Sequence, residues 1–187
     1  MHINDLGRQG FGYLLYAGLK LHRPDDFQDT LKKIRAYPGA KVQVLRADVI
    51  AGEEHIVAAS IFSARSCSDK RMVAHDPATE LLLFASGERQ IKSALEKAGI
   101  SGKKSDWVVV AVSDSRSSLE DLHSELLKIG EESDRLIELT DDKIPVLMDK
   151  YGISAAELSI AERLNASRTR ALQSLVLERM AISELLR

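Results

Sequence analysis

Residues 77–98 constrain the fold more than any other stretch of the chain. Asp76 is suited to cap a helix, Pro77 to occupy its first position, and Gly99 to end it. At 100° per residue, Leu81, Phe84, Ile91, Leu95 and Ala98 share one apolar arc, within which Glu80, Gly87 and Glu88 also project. Leu82, Arg89 and Ser93 occupy a neighbouring face, with Leu83 and Gln90 further round. A helix that holds Leu82 and Leu83 off its main stripe must be contacted on a second side. Either it lies between two layers of the core or it presents that side to a partner. Gly87 in mid-helix costs roughly 1 kcal/mol against alanine, and a close backbone approach would explain it.

The rest of the chain reads as strands and helices of α+β type. Strands are predicted at 11–21, 41–50 and 107–112, the last (WVVVAV) being central, with a short fourth at 136–139. Helices are predicted after Pro24, with Phe27, Leu31 and Ile34 on one face, and at 55–67. Another starts at Ser118 as its cap, and a short one runs over 144–151 and ends at Gly152. Ser154 and Glu157 form a capping box for the first of two closing helices, at 155–164 and 168–186. The expectation is a small sheet of three or four strands packed by several helices. It forms a single domain over residues 1–187, with a helical C-terminal segment at 154–187.

Charge narrows the function classes. The chain has 26 basic and 28 acidic side chains, which excludes a globally basic nucleic-acid coat. The distribution is uneven: residues 61–105 hold 8 basic and 5 acidic groups, and residues 106–142 hold 3 and 11. Solvated faces explain such runs as readily as binding sites do. The one cysteine, Cys67, leaves no internal disulfide and suits a reducing compartment. No apolar run reaches the roughly 18–20 residues of a membrane span, and the first residues lack the pattern of a signal peptide. A soluble cytoplasmic protein is expected.

Catalytic patterns are sparse. His2, His22, His55, His75 and His123 form no HxH or HExxH pair, so no metal site is predicted. Glu53, Glu54 and His55 could join a metal site, but carboxylates at a helix N-terminus are equally explained by the macrodipole. Gly7, Gly10 and Gly12 precede a strand rather than follow one, the wrong context for cradling phosphate. The serine-rich turn at 113–118 follows a strand and opens a helix, and reads as a capping turn. Cys67 reads as a small core residue without an activating partner. A small-molecule enzyme using Glu53, His55 and His123 would need those side chains to converge.

The helix at 55–67 adds a surface argument. Ala58, Ala59, Ser60, Ser63, Ala64 and Ser66 leave much of it small, so another helix can approach closely. Arg65, Lys70 and Arg71 cluster at its C-terminal end. There they complement the helix dipole, or form a phosphate-contacting patch that Arg89 and Lys92 join if the helices at 55–67 and 77–98 lie side by side. An intramolecular salt bridge, to Glu80, Glu88 or the acidic stretch, is the rival role for Arg89.

His55-Ile56-Val57-Ala58-Ala59, Ala64-Arg65, the run Ala78-Thr79-Glu80-Leu81-Leu82-Leu83-Phe84-Ala85-Ser86-Gly87-Glu88-Arg89-Gln90-Ile91, and Ala94 to Gly99-Ile100 follow one pattern in order. Lys150-Tyr151-Gly152-Ile153 and Leu177-Glu178-Arg179-Met180-Ala181 continue it. This pattern resembles the small kinase-binding subunit of the KEOPS tRNA-modification complex, a family that includes the partner of an atypical small human protein kinase. The TELLLFASGERQI run is most similar to archaeal members. The turn at 113–118 and the acidic stretch lie outside the resemblance.

The resemblance implies a non-catalytic subunit without cofactor or small-molecule substrate. It would dock on the N-terminal lobe of the complex's kinase-like ATPase, which contacts the subunit that makes threonylcarbamoyl adenosine. It also implies tRNA binding, at the 3′ CCA end. Arg65, Lys70, Arg71, Arg89 and Lys92 are then the candidate RNA contacts, and Leu82, Leu83 and Gly87 the candidate kinase contacts. On that reading Leu82→Glu leaves the fold intact and weakens kinase binding. A protein adaptor that binds the kinase and no RNA is the alternative.

Overall fold

The computed structural model describes residues 2–6, 11–102 and 105–185. Elements follow in the order β1 (His2–Asp5), β2 (Tyr13–Leu21), α1 (Phe27–Arg35), β3 (Lys41–Arg46), α2 (Glu53–Ser68), α3 (Pro77–Ser86) and α4 (Ile91–Ala98). Then come β4 (Asp106–Ser113), α5 (Arg116–Ile129), β5 (Gly130–Glu132), α6 (Ile144–Tyr151), α7 (Ala155–Glu162) and α8 (Arg168–Leu185). The α+β class predicted from sequence is observed.

The strands form an antiparallel sheet in the order β1-β2-β4-β3, with β5 also pairing β2. Tyr16 lies opposite Val110, and Val44 opposite Val109. Helices cover both faces, and that explains the unbroken apolar runs of β2 and β4. Leu14, Tyr16, Val108, Val110 and Val112 face the layer holding α2, α3 and α4. Leu15, Leu19, Trp107, Val109 and Ala111 face α1 and α5. A third apolar cluster ties α6, α7 and α8 together through Leu147, Tyr151, Leu158, Leu172 and Val176.

Gly18 is needed where β2 meets the turn after β5: a Cβ there would lie 2.2 Å from the Ser133 carbonyl oxygen. Its own carbonyl accepts from Ser133 N at 2.9 Å. The expected strand at 136–139 is absent; a 3-10 turn at Asp134–Leu136 stands there, and the short strand is β5. Ser115, not Ser118, caps α5, its side chain accepting from the Ser118 amide. Gly7 and Gly10 lie outside the described residues. No helix among the described residues is long and apolar enough to cross a membrane.

Candidate binding surface

The long helix expected at 77–98 is two helices. Asp76 caps α3 as predicted, accepting from Thr79 N at 3.0 Å. Gly87 ends α3 in the left-handed region, at φ 67°, with Gly87 N donating to Phe84 O and Glu88 N to Leu83 O at 3.1 Å. Those two bonds satisfy the last carbonyls of the helix, and glycine is there for its backbone angle. A Cβ at Gly87 would meet only ordinary contacts, the nearest 3.7 Å away at Arg179, so close approach is not its reason.

The break also settles the second apolar side. Leu82 and Leu83 are 1% and 0% exposed, inside the core between the sheet and the other helices. Neither can serve as an exposed kinase contact, and the two-layer explanation holds. Periodicity alone does not separate a helix buried on two sides from one that keeps a face for a partner.

α2 and α3 pack antiparallel. At one end the His55 ring bonds the Ala85 carbonyl at 2.8 Å. At the other, Ser63 Oγ donates to Pro77 O at 3.1 Å and Ser66 Oγ to Glu80 Oε1 at 2.9 Å. The small stripe of α2 is the seam: Ala59, Ser60, Ser63, Ala64 and Ser66 are buried. Glu80 is fully buried, and its other oxygen accepts from Val73 N and Ala74 N at 3.0 and 2.8 Å. One carboxyl group thus pins the turn that carries Lys70, Arg71 and Val73.

His55 is likewise a structural residue. Its Nδ1 accepts from Ala51 N at 3.1 Å, so the neutral ring carries its proton on Nε2 and donates it to Ala85 O. Tyr151 OH donates to the same carbonyl at 2.7 Å, and Lys97 Nζ sits 4.1 Å from the Tyr151 ring centre while pairing Glu88 at 3.2 Å. These contacts join α2, α3, α4 and α6. Burial pushes the His55 pKa down to about 4, the Ala85 bond opposing.

A charged ring would also point an N–H at the Ala51 N–H. The folded pKa lies below the unfolded value, so stability is fully present above about pH 6.5 and falls as the pH drops toward 4. Urea titrations should show about 2–3 kcal/mol less stability at pH 4.5 than at pH 7 from this group. His55→Asn should be weaker at pH 7 yet lose that extra slope; an equal slope in the variant would assign it elsewhere.

The five candidate RNA contacts are all exposed but do not form one cluster. Arg65, Lys70 and Arg71 sit at the C-terminal end of α2, beside the start of α3. Arg89 and Lys92 follow the far end of α3, about 15 Å away along a ten-residue helix. Among the described residues Arg65, Lys70, Arg89 and Lys92 make no ion pair, so Arg89 does not pair with Glu80 or Glu88. Arg71 is tied to Asp69 and Glu184, at 3.1 and 3.2 Å.

Exposed apolar side chains accompany each basic group. Ile91 and Leu95, one turn apart on α4, are 38% and 43% exposed beside Arg89 and Lys92. Arg71 pairs Glu184 of α8, and the apolar side chains Val73 and Leu185, each within two residues of that pair in sequence, are 50% and 84% exposed; Ile182, 41% exposed, stands on α8 about 200° round from Glu184. The sequence reading missed this contact, because only the fold brings Arg71 to Glu184 of α8.

The residues of the enzyme alternative do not come together. His55 is enclosed, Glu53 accepts from the Tyr16 hydroxyl, and His123 lies on α5, across the sheet, bonded to Glu132 at 2.9 Å. No group of three His, Cys, Asp or Glu side chains among the described residues is placed to hold a metal ion. Ser113 and Ser115 act as the capping turn expected, accepting from Ser115 N and Ser118 N. Cys67 is half-buried.

Two comparisons bear on this arrangement. Residues 26–184 match the family model described as kinase binding protein CGI-121, which covers α1 to α8, save the last residue of α8, and every strand except β1 and β2. The chain is also 30% identical over 115 residues to the regulatory protein Cgi121 of Methanocaldococcus jannaschii, across 62% of this chain and 72% of that protein. The matched segment includes the α2–α3 seam, the Gly87 stop and the His55–Tyr151 network, so the chain belongs to the CGI-121 family of kinase-binding proteins.

Proposed function

We propose that this chain is the non-catalytic regulatory subunit of a KEOPS-type complex in the cytoplasm, binding its kinase-like ATPase and a tRNA by the 3′ CCA end. Family membership over residues 26–184 is the observation that carries the kinase-binding part. Val73 and Leu185, exposed and each within two residues of the Arg71–Glu184 pair, are the docking surface for the kinase, with that pair as polar rim. This replaces Leu82 and Leu83, which are buried, and Gly87, which is a helix stop.

Arg89 and Lys92 are the principal RNA contacts. They are exposed, without an ion pair among the described residues, and next to the apolar pair Ile91 and Leu95, on which an unstacked base can rest. Arg65 and Lys70, free at the other end of α3, extend the path for the RNA backbone. The combined substitution Arg89→Glu and Lys92→Glu should lower tRNA affinity about tenfold, about 1.4 kcal/mol, and flatten its salt dependence.

Filter binding at two salt concentrations, with and without the terminal CCA, checks this. Loss of CCA should remove most of the wild-type affinity. Normal binding by the double variant would take the RNA site off α4. No tRNA binding by the wild type would leave the protein adaptor as the function.

A further inference from the structure

Lys143 stands apart from the binding surface. It closes the 3-10 turn Asp141–Lys143 that leads into α6, and only 7% of it is exposed. Its Nζ donates to Leu136 O at 2.7 Å and to Ile50 O at 3.5 Å. Among the described residues it makes no ion pair: Asp142, Asp48 and Glu138 attract it only at longer range, and Asp48 is held by Arg46 at 2.6 Å. It lines an open cavity of about 480 Å³, whose charged walls are Lys20 and Arg135 together with Asp48, Asp106 and Asp142.

These contacts suit an amine better than an ammonium. An ammonium has three hydrogens and here finds two backbone acceptors and, among the described residues, no carboxylate in direct contact. A neutral amine makes the same two bonds and keeps its lone pair free. Buried lysines without a partner acid lose basicity for this reason, and serve as nucleophiles.

We infer that Lys143 is a site of covalent acylation, reached through the cavity by small anionic acyl donors such as acyl phosphates. The Nζ lone pair attacks the acyl carbon, and the bond from that carbon to the phosphate oxygen breaks. Phosphate leaves with the electron pair and takes up the proton that the nitrogen sheds. The product amide keeps one N–H for the Leu136 carbonyl and removes a buried positive charge. Lys20 and Arg135 supply positive charge for the departing phosphate. The inference is independent of kinase and tRNA binding.

Burial pulls the Lys143 pKa down to about 8 against the pull of Asp142, Asp48 and Glu138. About a quarter of it is then free base at pH 7.5, against roughly one part in a thousand for an exposed lysine. The test treats the whole protein with acetyl phosphate, to low conversion, and reads acetylation at each lysine by peptide mass spectrometry. Lys143 should react at least about fivefold faster than the median lysine at pH 7.5. Its rate should level off above about pH 8, while exposed lysines continue to rise about tenfold per pH unit to about pH 10. Lys143→Arg should abolish that one signal and leave the others in place. Labelling at or below the median, or a pH profile parallel to that of the exposed lysines, would overturn the inference.

Discussion

Leu82→Glu is expected to unfold the chain. Leu82 is 1% exposed in the core between the sheet and α2, and among the described residues that core offers a new carboxylate no free cation. Desolvating an unpaired charge costs several kcal/mol, and removing the leucine side chain adds the loss of its packing. The sum is about 5 kcal/mol or more, comparable to the whole stability of a domain this size. Circular dichroism and urea titration will read it. A folded variant with an unchanged midpoint would mean that α3 is not held between two layers.

Glu80→Ala should produce the second-largest loss, about 2–4 kcal/mol. It strands the Ser66 hydroxyl and the amides of Val73 and Ala74, all of which now bond the Glu80 carboxyl. The released turn is the one that carries Lys70, Arg71 and Val73. Hydrogen exchange at Val73 and Ala74 should speed up more than exchange in β4. Protection unchanged at those two amides would show that the turn is held by something else.

What the sequence disclosed depended on whether the cause was local. The Asp76 cap, the Ser154–Glu157 capping box and the Gly152 stop each lie within a few residues, and all three are observed. β4 was legible because six consecutive apolar residues, four of them valine, suit a strand buried on both faces. β1 and β5 were not, since strands of four and three residues carry too little alternation. Ser86-Gly87-Glu88 was misread for a related reason. Continuous apolar periodicity on both sides hid a left-handed stop, so Gly87 passed as a defect inside one long helix.

Candidate surface residues were harder still. Whether Arg65 and Arg89 meet depends on where α3 ends and how it runs against α2, which is tertiary information. Two-sided burial of Leu82 and Leu83 depends on the layer that covers them. The segments of Val73 and Leu185, over a hundred residues apart in the chain, are related by the contact between Arg71 and Glu184. His55 and Tyr151 were legible as motif residues, but only the fold shows that they bond one carbonyl, at the end of α3.

Calorimetric titration of the kinase-like ATPase subunit from the same organism into this chain tests the central claim most directly. The wild type should bind, and Val73→Glu combined with Leu185→Glu should bind at least about tenfold more weakly, a loss of about 1.4 kcal/mol, with an unchanged melting temperature. Both positions are well exposed, so a loss of binding in a folded variant identifies the docking surface. Equal binding by the variant would remove this surface from the interface. Absence of binding by the wild type would contradict the kinase-binding function itself.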